Sequence, residues 1–178
     1  MIKEALQPAI AVAFLSFRHG DILTFLPIQG LKLGLTNPGI WFAVYAVCIL
    51  LSRPIAGPLS VRISRRAVIL SGLVLNIIGI LLLALATSTN GLIAAAIITG
   101  FGTGAAQPAM RTLAVDQSAV ERRGRSLAQF QLFYDLGIGV GSLTLGALLY
   151  LAGQSFFIMY LATAVVALIG LCQHWSKG

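Results

Sequence analysis

The chain has 178 residues, of which 58% are hydrophobic and 10% are charged, and its mean hydropathy is +0.93. In a soluble domain of this size about a quarter of all residues are charged, and they cover its surface. The composition therefore excludes an ordinary soluble domain and indicates that lipid faces most side chains. The net charge is +7, but the basic residues cluster in short breaks between apolar runs, a pattern that argues against nucleic acid as a partner.

Six apolar segments are each long enough to cross a bilayer core of about 30 Å. Pro38 and the Thr87–Asn90 stretch mark two of the breaks between them. We predict an all-α membrane protein with one six-helix bundle over residues 1–178. The predicted helices cover residues 8–31, 39–60, 67–87, 91–113, 126–150 and 155–173.

The basic residues predict the orientation of this bundle. With six crossings, one side holds only Lys32, whereas the other side holds Lys3, Arg62, Arg65, Arg66, Arg122, Arg123, Arg125 and Lys177. Because cytoplasmic loops carry the excess of Lys and Arg, both termini are expected in the cytoplasm and the protein in the inner membrane. The first apolar stretch continues beyond a signal-peptide core, so we expect it to stay in the mature protein.

Three ionisable residues, Arg18, His19 and Asp21, interrupt the middle of the first predicted helix. Charges at that depth cost several kcal/mol, so they usually face a cavity or a partner. One interpretation is a structural pair, because Arg18 and Asp21 are three residues apart on one helical face. The other is a polar site for a substrate or a coupling proton, to which His19 adds a group that titrates near neutral pH.

The fifth predicted helix carries Gln131, Tyr134 and Asp135. Counted from the cytoplasmic side, Asp135 lies at about the depth of Arg18, near 14 Å. We therefore expect Asp135 to meet Arg18 or His19, and Asp135→Asn to abolish activity or expression. The predicted substrate and proton pathway consists of the three ionisable residues of the first helix, the three polar residues of the fifth helix, and Gln107 next to the helix-kinking Pro108.

The glycines of the fourth and fifth helices predict close helix packing. Gly100 and Gly104, and likewise Gly137 and Gly141, have the small-xxx-small spacing of membrane helix contacts. A dinucleotide site is excluded because no strand precedes the glycines. Cys48 and Cys172 match no metal or redox spacing, so neither metal nor cofactor is expected.

Three further residue types have structural interpretations. Asn76 in the third helix is expected to bond to a neighbouring helix. Trp41, Tyr150 and Trp175 lie near predicted membrane interfaces, where amphipathic rings are typical anchors. Arg111 is expected to extend its charged end to the cytoplasmic edge.

The loop between the second and third helices resembles the signature loop of the major facilitator superfamily. The matching positions, within the stretch that begins at Arg53, are Gly57, Arg62, Arg65 and Arg66. Val61 stands where the signature has an aspartate, and Ser64 where it has its second glycine. Such a degenerate copy is common in C-terminal halves. The Gly100–Pro108 and Phe133–Gly141 stretches resemble the fourth and penultimate helices of bacterial efflux-type members.

The resemblance implies transport of a small solute, by proton-coupled efflux, through one half of a twelve-helix permease. Its partners would be the lipid bilayer, the solute and a second six-helix half, supplied by another copy or another chain. The alternative is a truncated or non-transporting membrane scaffold. An intramembrane hydrolase is disfavoured because no Gly-x-Ser-x-Gly occurs and His174 lies at the chain end. The sequence therefore predicts a transporter half and not an enzyme.

Overall fold

A computed structural model of the chain describes residues 6–176, with side chains from residue 9 to residue 172. The described chain is helical, as predicted, with a single short 3₁₀ turn at Val120–Arg122. The six helices are α1 Leu6–Lys32, α2 Gly39–Arg62, α3 Arg65–Leu85, α4 Thr89–Asp116, α5 Arg123–Leu151 and α6 Phe156–Ser176. Lys3, Lys177 and the side chain of Trp175, which entered the predictions above, lie outside the described residues.

Five of these helices are long and apolar enough to cross a membrane. The sixth, α6, has a described apolar stretch of Phe156–Cys172, which is slightly shorter. Because a lipid-exposed backbone must satisfy its own hydrogen bonds, consecutive helices joined by short turns are the expected solution for such a sequence. The chain is therefore a multi-pass, all-α membrane protein.

The helix ends follow local side-chain chemistry. The Ser64 hydroxyl accepts a hydrogen bond from the Ala67 amide and begins α3, and the Ser88 hydroxyl accepts one from Gly91 and begins α4. Side-chain oxygens at this position satisfy amides that have no partner within the helix. After α1, Gly34 has a φ of +85°, which glycine adopts without the steric cost of a Cβ. The α2–α3 and α4–α5 turns lie together at one end of the bundle, where Arg65 forms an ion pair with Asp116. We call it the arginine-rich end.

Glycines set the closest helix contacts. On α5, a Cβ at Gly137 or Gly141 would overlap backbone carbonyl oxygens of α1. On α4, a Cβ at Gly100 or Gly104 would overlap α2, and one at Gly102 would overlap α3. Small residues let membrane helices approach closely because dispersion contacts replace the hydrophobic drive that lipid does not supply. As a result α1 lies against α5, and α4 lies between α2 and α3.

Two apolar clusters fill the bundle, one toward each end. One contains Trp41, Leu83 and Leu149, and the cluster nearer the arginine-rich end contains Ile69, Met110 and Phe130. The prediction that Trp41 is an interfacial anchor was wrong: its side chain is 0% exposed and its indole N–H donates to the Leu92 carbonyl at 2.8 Å. The indole is buried because its one polar group finds a partner inside the bundle. Between the clusters lies a layer of polar side chains.

Candidate functional site

The polar layer centres on α1. Arg18 lies twelve residues after Leu6, about 18 Å along the helix and near its middle. Arg18 is 1% exposed and Asp21 is 0% exposed, and His19 is also buried. All three ionisable residues therefore point into the bundle and away from lipid, which is where charged side chains in membrane helices find partners.

Arg18 is held by α4 and, through α4, by α3. Its Nη2 donates to the Thr103 hydroxyl at 2.7 Å, and that hydroxyl donates to the Asn76 side-chain oxygen at 3.0 Å. The Asn76 amide nitrogen in turn donates to the Gly72 carbonyl at 2.8 Å. The expectation that Asn76 bonds to a neighbouring helix is confirmed. One hydroxyl thus joins three helices at mid-depth.

His19 is connected to the same network through Tyr45 of α2. The His19 Nε2 lies 2.8 Å from the Tyr45 hydroxyl, which lies 3.2 Å from the Thr103 hydroxyl. His19 Nδ1 lies 3.4 Å from the Leu15 carbonyl. With neutral His19 donating to Leu15, Tyr45 donates to His19; with both ring nitrogens protonated, His19 donates to Tyr45 and Tyr45 donates to Thr103. His19 is hydrogen-bonded to Tyr45 in either protonation state, whereas Tyr45 donates to Thr103 only when His19 Nε2 carries a proton.

Asp21 faces α6. Its Oδ2 lies 2.7 Å from the Thr163 hydroxyl, which also lies 3.1 Å from the Met159 carbonyl. A hydroxyl has one hydrogen and therefore donates one full hydrogen bond, while a carbonyl can only accept. Both contacts are full hydrogen bonds when Asp21 carries a proton and donates to Thr163. The geometry therefore accommodates a protonated carboxyl at this position.

Arg18 and Asp21 do not form the intrahelical pair considered above. Arg18 bonds to α4 and Asp21 to α6, so the two side chains turn toward different neighbours. Among the described residues, Arg18 Nε and Nη1, Asp21 Oδ1 and the Tyr160 hydroxyl are buried without a protein hydrogen-bond partner. Such unpaired buried groups are few in native proteins and costly, and a catalytic role, strain or a bound water or ion explains them.

The expected contact between Asp135 and Arg18 or His19 was wrong. Asp135 is exposed and accepts a hydrogen bond from Gln131 at 2.9 Å, and Gln131 accepts one from Arg111 at 3.1 Å. The face of α5 that meets α1 carries its glycines, and the neighbouring Tyr134 lies beside His19 with ring centroids 5.7 Å apart. Asp135 is one residue, or about 100°, further around the helix. The prediction matched the depth of Asp135 to that of Arg18, but it did not include the rotation of α5 about its own axis.

The signature-loop residues lie at the arginine-rich end. Arg62 is exposed, and Arg65 forms an ion pair with Asp116 at the end of α4. Asp116 thus gives Arg65 an acidic partner, although Val61 occupies the position where the signature has its aspartate. Gln107 lines a cavity of about 480 Å³ between α2 and α4, together with Arg53 and Gly57.

Sequence reasoning missed Tyr45, Thr103 and Thr163. A signal for Thr103 was present: it lies thirteen residues before the end of α4, about 20 Å, and so at the depth of Arg18. Hydroxyl residues in membrane helices usually bond to their own backbone, however, and depth alone does not separate the two cases. Within the described residues, no group of three His, Cys, Asp or Glu side chains lies close enough to hold a metal ion.

Comparisons with known proteins agree with this architecture. Residues 8–175 match the family model of the Major Facilitator Superfamily. Multidrug resistance protein 3 of Bacillus subtilis is 32% identical over 126 residues, which cover 71% of this chain and 24% of that protein. Multidrug resistance protein MdtG of Escherichia fergusonii is 29% identical over 139 residues, which cover 78% of this chain and 34% of that protein.

Solved structures share the fold at low sequence identity. A POT family transporter in complex with 5-aminolevulinic acid superposes with a TM-score of 0.77 at 20% identity, covering 97% of this chain and 36% of that one. A peptide transporter POT mutant in complex with sulfate gives a TM-score of 0.76 at 19% identity, covering 98% and 37%. The chain spans about a quarter to a third of the curated relatives. Because the family model matches residues 8–175, this chain belongs to the Major Facilitator Superfamily, which comprises membrane transporters and not enzymes.

Proposed function

We propose that this chain is one six-helix half of a proton-coupled exporter of small solutes. The observation that carries the proposal is the buried polar layer, in which Arg18, His19 and Asp21 of one membrane helix bond to hydroxyls of three other helices. Ionisable residues at mid-membrane are costly and mark substrate or proton pathways. The names of the curated relatives, multidrug resistance proteins, support export as the direction.

A second half is supported by the uneven polarity of the exposed surface. Within the residues whose side chains are described, the exposed large side chains of α3 and α6 are apolar, for example Val74, Ile78 and Leu161, and suit lipid. By contrast, α2, α4 and α5 expose Arg53, Arg111, Gln131 and Asp135. Polar side chains at membrane depth need water or protein around them.

The burial of the helices agrees with this division. Only 22% of the most apolar stretch is buried in each of α2 and α5, against 50–61% in α1, α3 and α4. A second six-helix bundle, from another copy or another chain, would cover α2 and α5 and enclose a pathway lined by Gln107, Gln131, Tyr134 and Asp135. Transporters of this kind bind substrate between two such repeats near the midplane.

In this proposal Asp21 carries the coupling proton and His19 adjusts to it. The Thr163 contact accommodates a protonated Asp21, and the His19–Tyr45 hydrogen bond is kept in both protonation states of His19. The Tyr45–Thr103 bond forms when His19 Nε2 carries a proton, so this part of the network responds to His19 protonation. Loss of the Asp21 proton leaves a buried carboxylate three residues from the Arg18 guanidinium, whose Nε and Nη1 have no protein acceptor. Attraction between these charges would favour a different side-chain arrangement, and that difference is what couples protonation to conformation.

We further propose that the arginine-rich end is cytoplasmic, because cytoplasmic loops carry the excess of basic residues. Fusion of a periplasm-dependent reporter after residue 178 tests the orientation. An inactive reporter is expected, and an active one would reverse the assignment.

The proposal that the chain is one half of a transporter can be tested by native mass spectrometry in mild detergent together with transport of ethidium into proteoliposomes. We expect transport only in preparations that contain dimers or a second bundle. A purely monomeric preparation that still transports ethidium would contradict the proposal.

Proton coupling can be tested with Asp21→Asn, matched to Asp116→Asn at the arginine-rich end. Asn can donate to Thr163 as a protonated Asp does, so the fold is kept while the proton is lost. Transport driven by a pH gradient should fall by about tenfold or more in Asp21→Asn, while exchange without a gradient persists. Infrared spectroscopy supplies a readout without transport: the band of a protonated carboxyl at neutral pH should vanish in Asp21→Asn and persist in Asp116→Asn. Gradient-driven transport at the wild-type rate in Asp21→Asn would refute the role.

A further inference from the structure

One cavity lies outside the buried polar layer. It has a volume of about 480 Å³ and lies between α2 and α4 at the arginine-rich end. This volume is within the range of about 300–1,000 Å³ that is typical of small-molecule sites. The polar side chains that line it are Arg53, Ser60, Arg65, Gln107, Arg111 and Thr112.

The cavity exists because α2 and α4 diverge toward this end. At Gly100 and Gly104 the two helices are so close that a Cβ would overlap α2. Further along, a Cβ at Gly57 of α2 would meet no atom within 4 Å. Pro108 lies on α4 between these levels, and proline bends a helix because it removes one amide and clashes with the preceding turn. The opening is therefore built into the two helices and is not a gap between loops.

The lining of the cavity carries unbalanced positive charge. It contains three arginines and no carboxylate. Arg65 is neutralised by its ion pair with Asp116. Within the part of the chain that the structure describes, Arg53 has no hydrogen-bond or ion-pair partner, and Arg111 bonds only to the neutral side chain of Gln131 while its guanidinium lies 5.7 Å from the Phe130 ring centroid. Within the described residues, Arg53 thus has no counter-ion, and Arg111 contacts no carboxylate directly, since Gln131 stands between it and Asp135.

These two arginines also lie at different depths. Arg53 is nine residues before the end of α2, about 14 Å, and Arg111 is five residues before the end of α4, about 8 Å. A ligand that contacts both arginines would extend along the helices. Its anionic group would accept hydrogen bonds from the Arg53 guanidinium on one side and from the Arg111 guanidinium on the other. The lining offers hydroxyl and amide groups of Ser60, Thr112 and Gln107 but no negative charge, so a cation is disfavoured.

We propose that this cavity is a binding site for a phosphate group, held between Arg53 and Arg111. A guanidinium presents several N–H donors in a plane that matches two phosphate oxygens, and such charge-assisted bonds are the strong ones. Two sources carry this group: the headgroup of an anionic phospholipid, which basic pockets between membrane helices bind, and a soluble phosphate ester. The cavity includes Gln107 of the proposed pathway, but the proposal does not require proton coupling, since it rests on the cavity and its charges.

The test compares two double variants of the purified chain in detergent. Arg53→Gln with Arg111→Gln removes both arginine charges of the proposed site. Arg62→Gln with Arg122→Gln removes the same charge from the same end of the bundle, outside the cavity lining, and serves as the matched control. Native mass spectrometry measures retention of dioleoylphosphatidylglycerol, with dioleoylphosphatidylcholine as the net-neutral lipid. Thermal shift with glycerol 3-phosphate measures the soluble source.

We expect the Arg53/Arg111 double variant to bind at least about tenfold more weakly, and the control to change by less than about threefold. Preference for phosphatidylglycerol alone supports the site with a lipid as its source, and an equal effect of glycerol 3-phosphate supports it with a soluble ester. Equal losses in both double variants would show attraction to net charge only and would overturn the proposal. So would binding of neither probe, or a loss of dimers in the Arg53/Arg111 variant without any phosphate binding, which would identify an acidic group of a second bundle as the occupant.

Discussion

The Thr103 hydroxyl is the contact on which the polar layer depends most directly. It accepts hydrogen bonds from Arg18 at 2.7 Å and from Tyr45 at 3.2 Å, and it donates to Asn76 at 3.0 Å. Thr103→Val keeps the shape of the side chain and removes all three bonds. The perturbation therefore isolates hydrogen bonding from packing.

The cost of this substitution can be worked from the three bonds. A hydrogen bond to a charged group contributes about 1.5–3 kcal/mol, and neutral bonds between membrane helices average about 0.6 kcal/mol each. Thr103→Val should then lower the free energy of unfolding by about 3–4 kcal/mol. Thr103→Ser keeps the hydroxyl and loses one methyl group, so it should cost about 1 kcal/mol.

Thr99 supplies a matched control one turn away on α4. It is as buried as Thr103, but its hydroxyl donates only to carbonyls of its own helix, Ala95 and Ala96. Thr99→Val should therefore cost less than about 1 kcal/mol. Unfolding in mixed micelles of dodecyl maltoside and SDS, followed by helical circular dichroism, measures all three variants. If Thr103→Val and Thr99→Val agree within about 0.5 kcal/mol, the polar network contributes nothing to stability and the reasoning fails.

Three further predictions concern the packing and the ends of the bundle. Gly141→Ala should destabilise the fold by about 2 kcal/mol or more, because its Cβ overlaps a backbone carbonyl of α1, whereas Gly139→Ala meets no atom and should be neutral or stabilising in the same micelle assay. Trp41→Phe should cost about 1–3 kcal/mol, since it leaves a buried carbonyl of α4 without its indole donor; a change below about 0.5 kcal/mol would contradict this. A double-mutant cycle on Arg65 and Asp116 should give a coupling of only about 0–1 kcal/mol that weakens with salt, because both side chains are partly exposed. A coupling that persists in high salt would show a pair better shielded than its exposure indicates.

The sequence predicted the six helices and their membrane setting because both follow from local properties. A bilayer requires about twenty apolar residues per crossing, and the backbone then has no alternative to a helix. The isolated charges of α1 could also be singled out from the sequence as a candidate site, since their cost in lipid does not depend on the rest of the fold. The partners of those charges could not be predicted. Spacing allowed a pair of Arg18 with Asp21 and predicted that Asp135 meets Arg18 or His19, and neither contact is formed.

Trp41 shows the same division in a single residue. Its position near a helix end predicted an interfacial anchor, but the indole lies inside, bonded to a carbonyl of a helix fifty residues away. Position along a helix fixes depth, whereas the direction in which a side chain points depends on the rotation of that helix against its neighbours.

That rotation is what only the tertiary structure decided. Gly137 and Gly141 set the face of α5 that meets α1, which brings Tyr134 to His19 and turns Asp135 outward. Composition, span and depth were determined by the sequence itself, because lipid imposes them on each segment separately. The polar layer and the arginine-lined cavity arise from how glycines and Pro108 allow helices α1 to α5 to approach and diverge, and that is a property of the packed bundle.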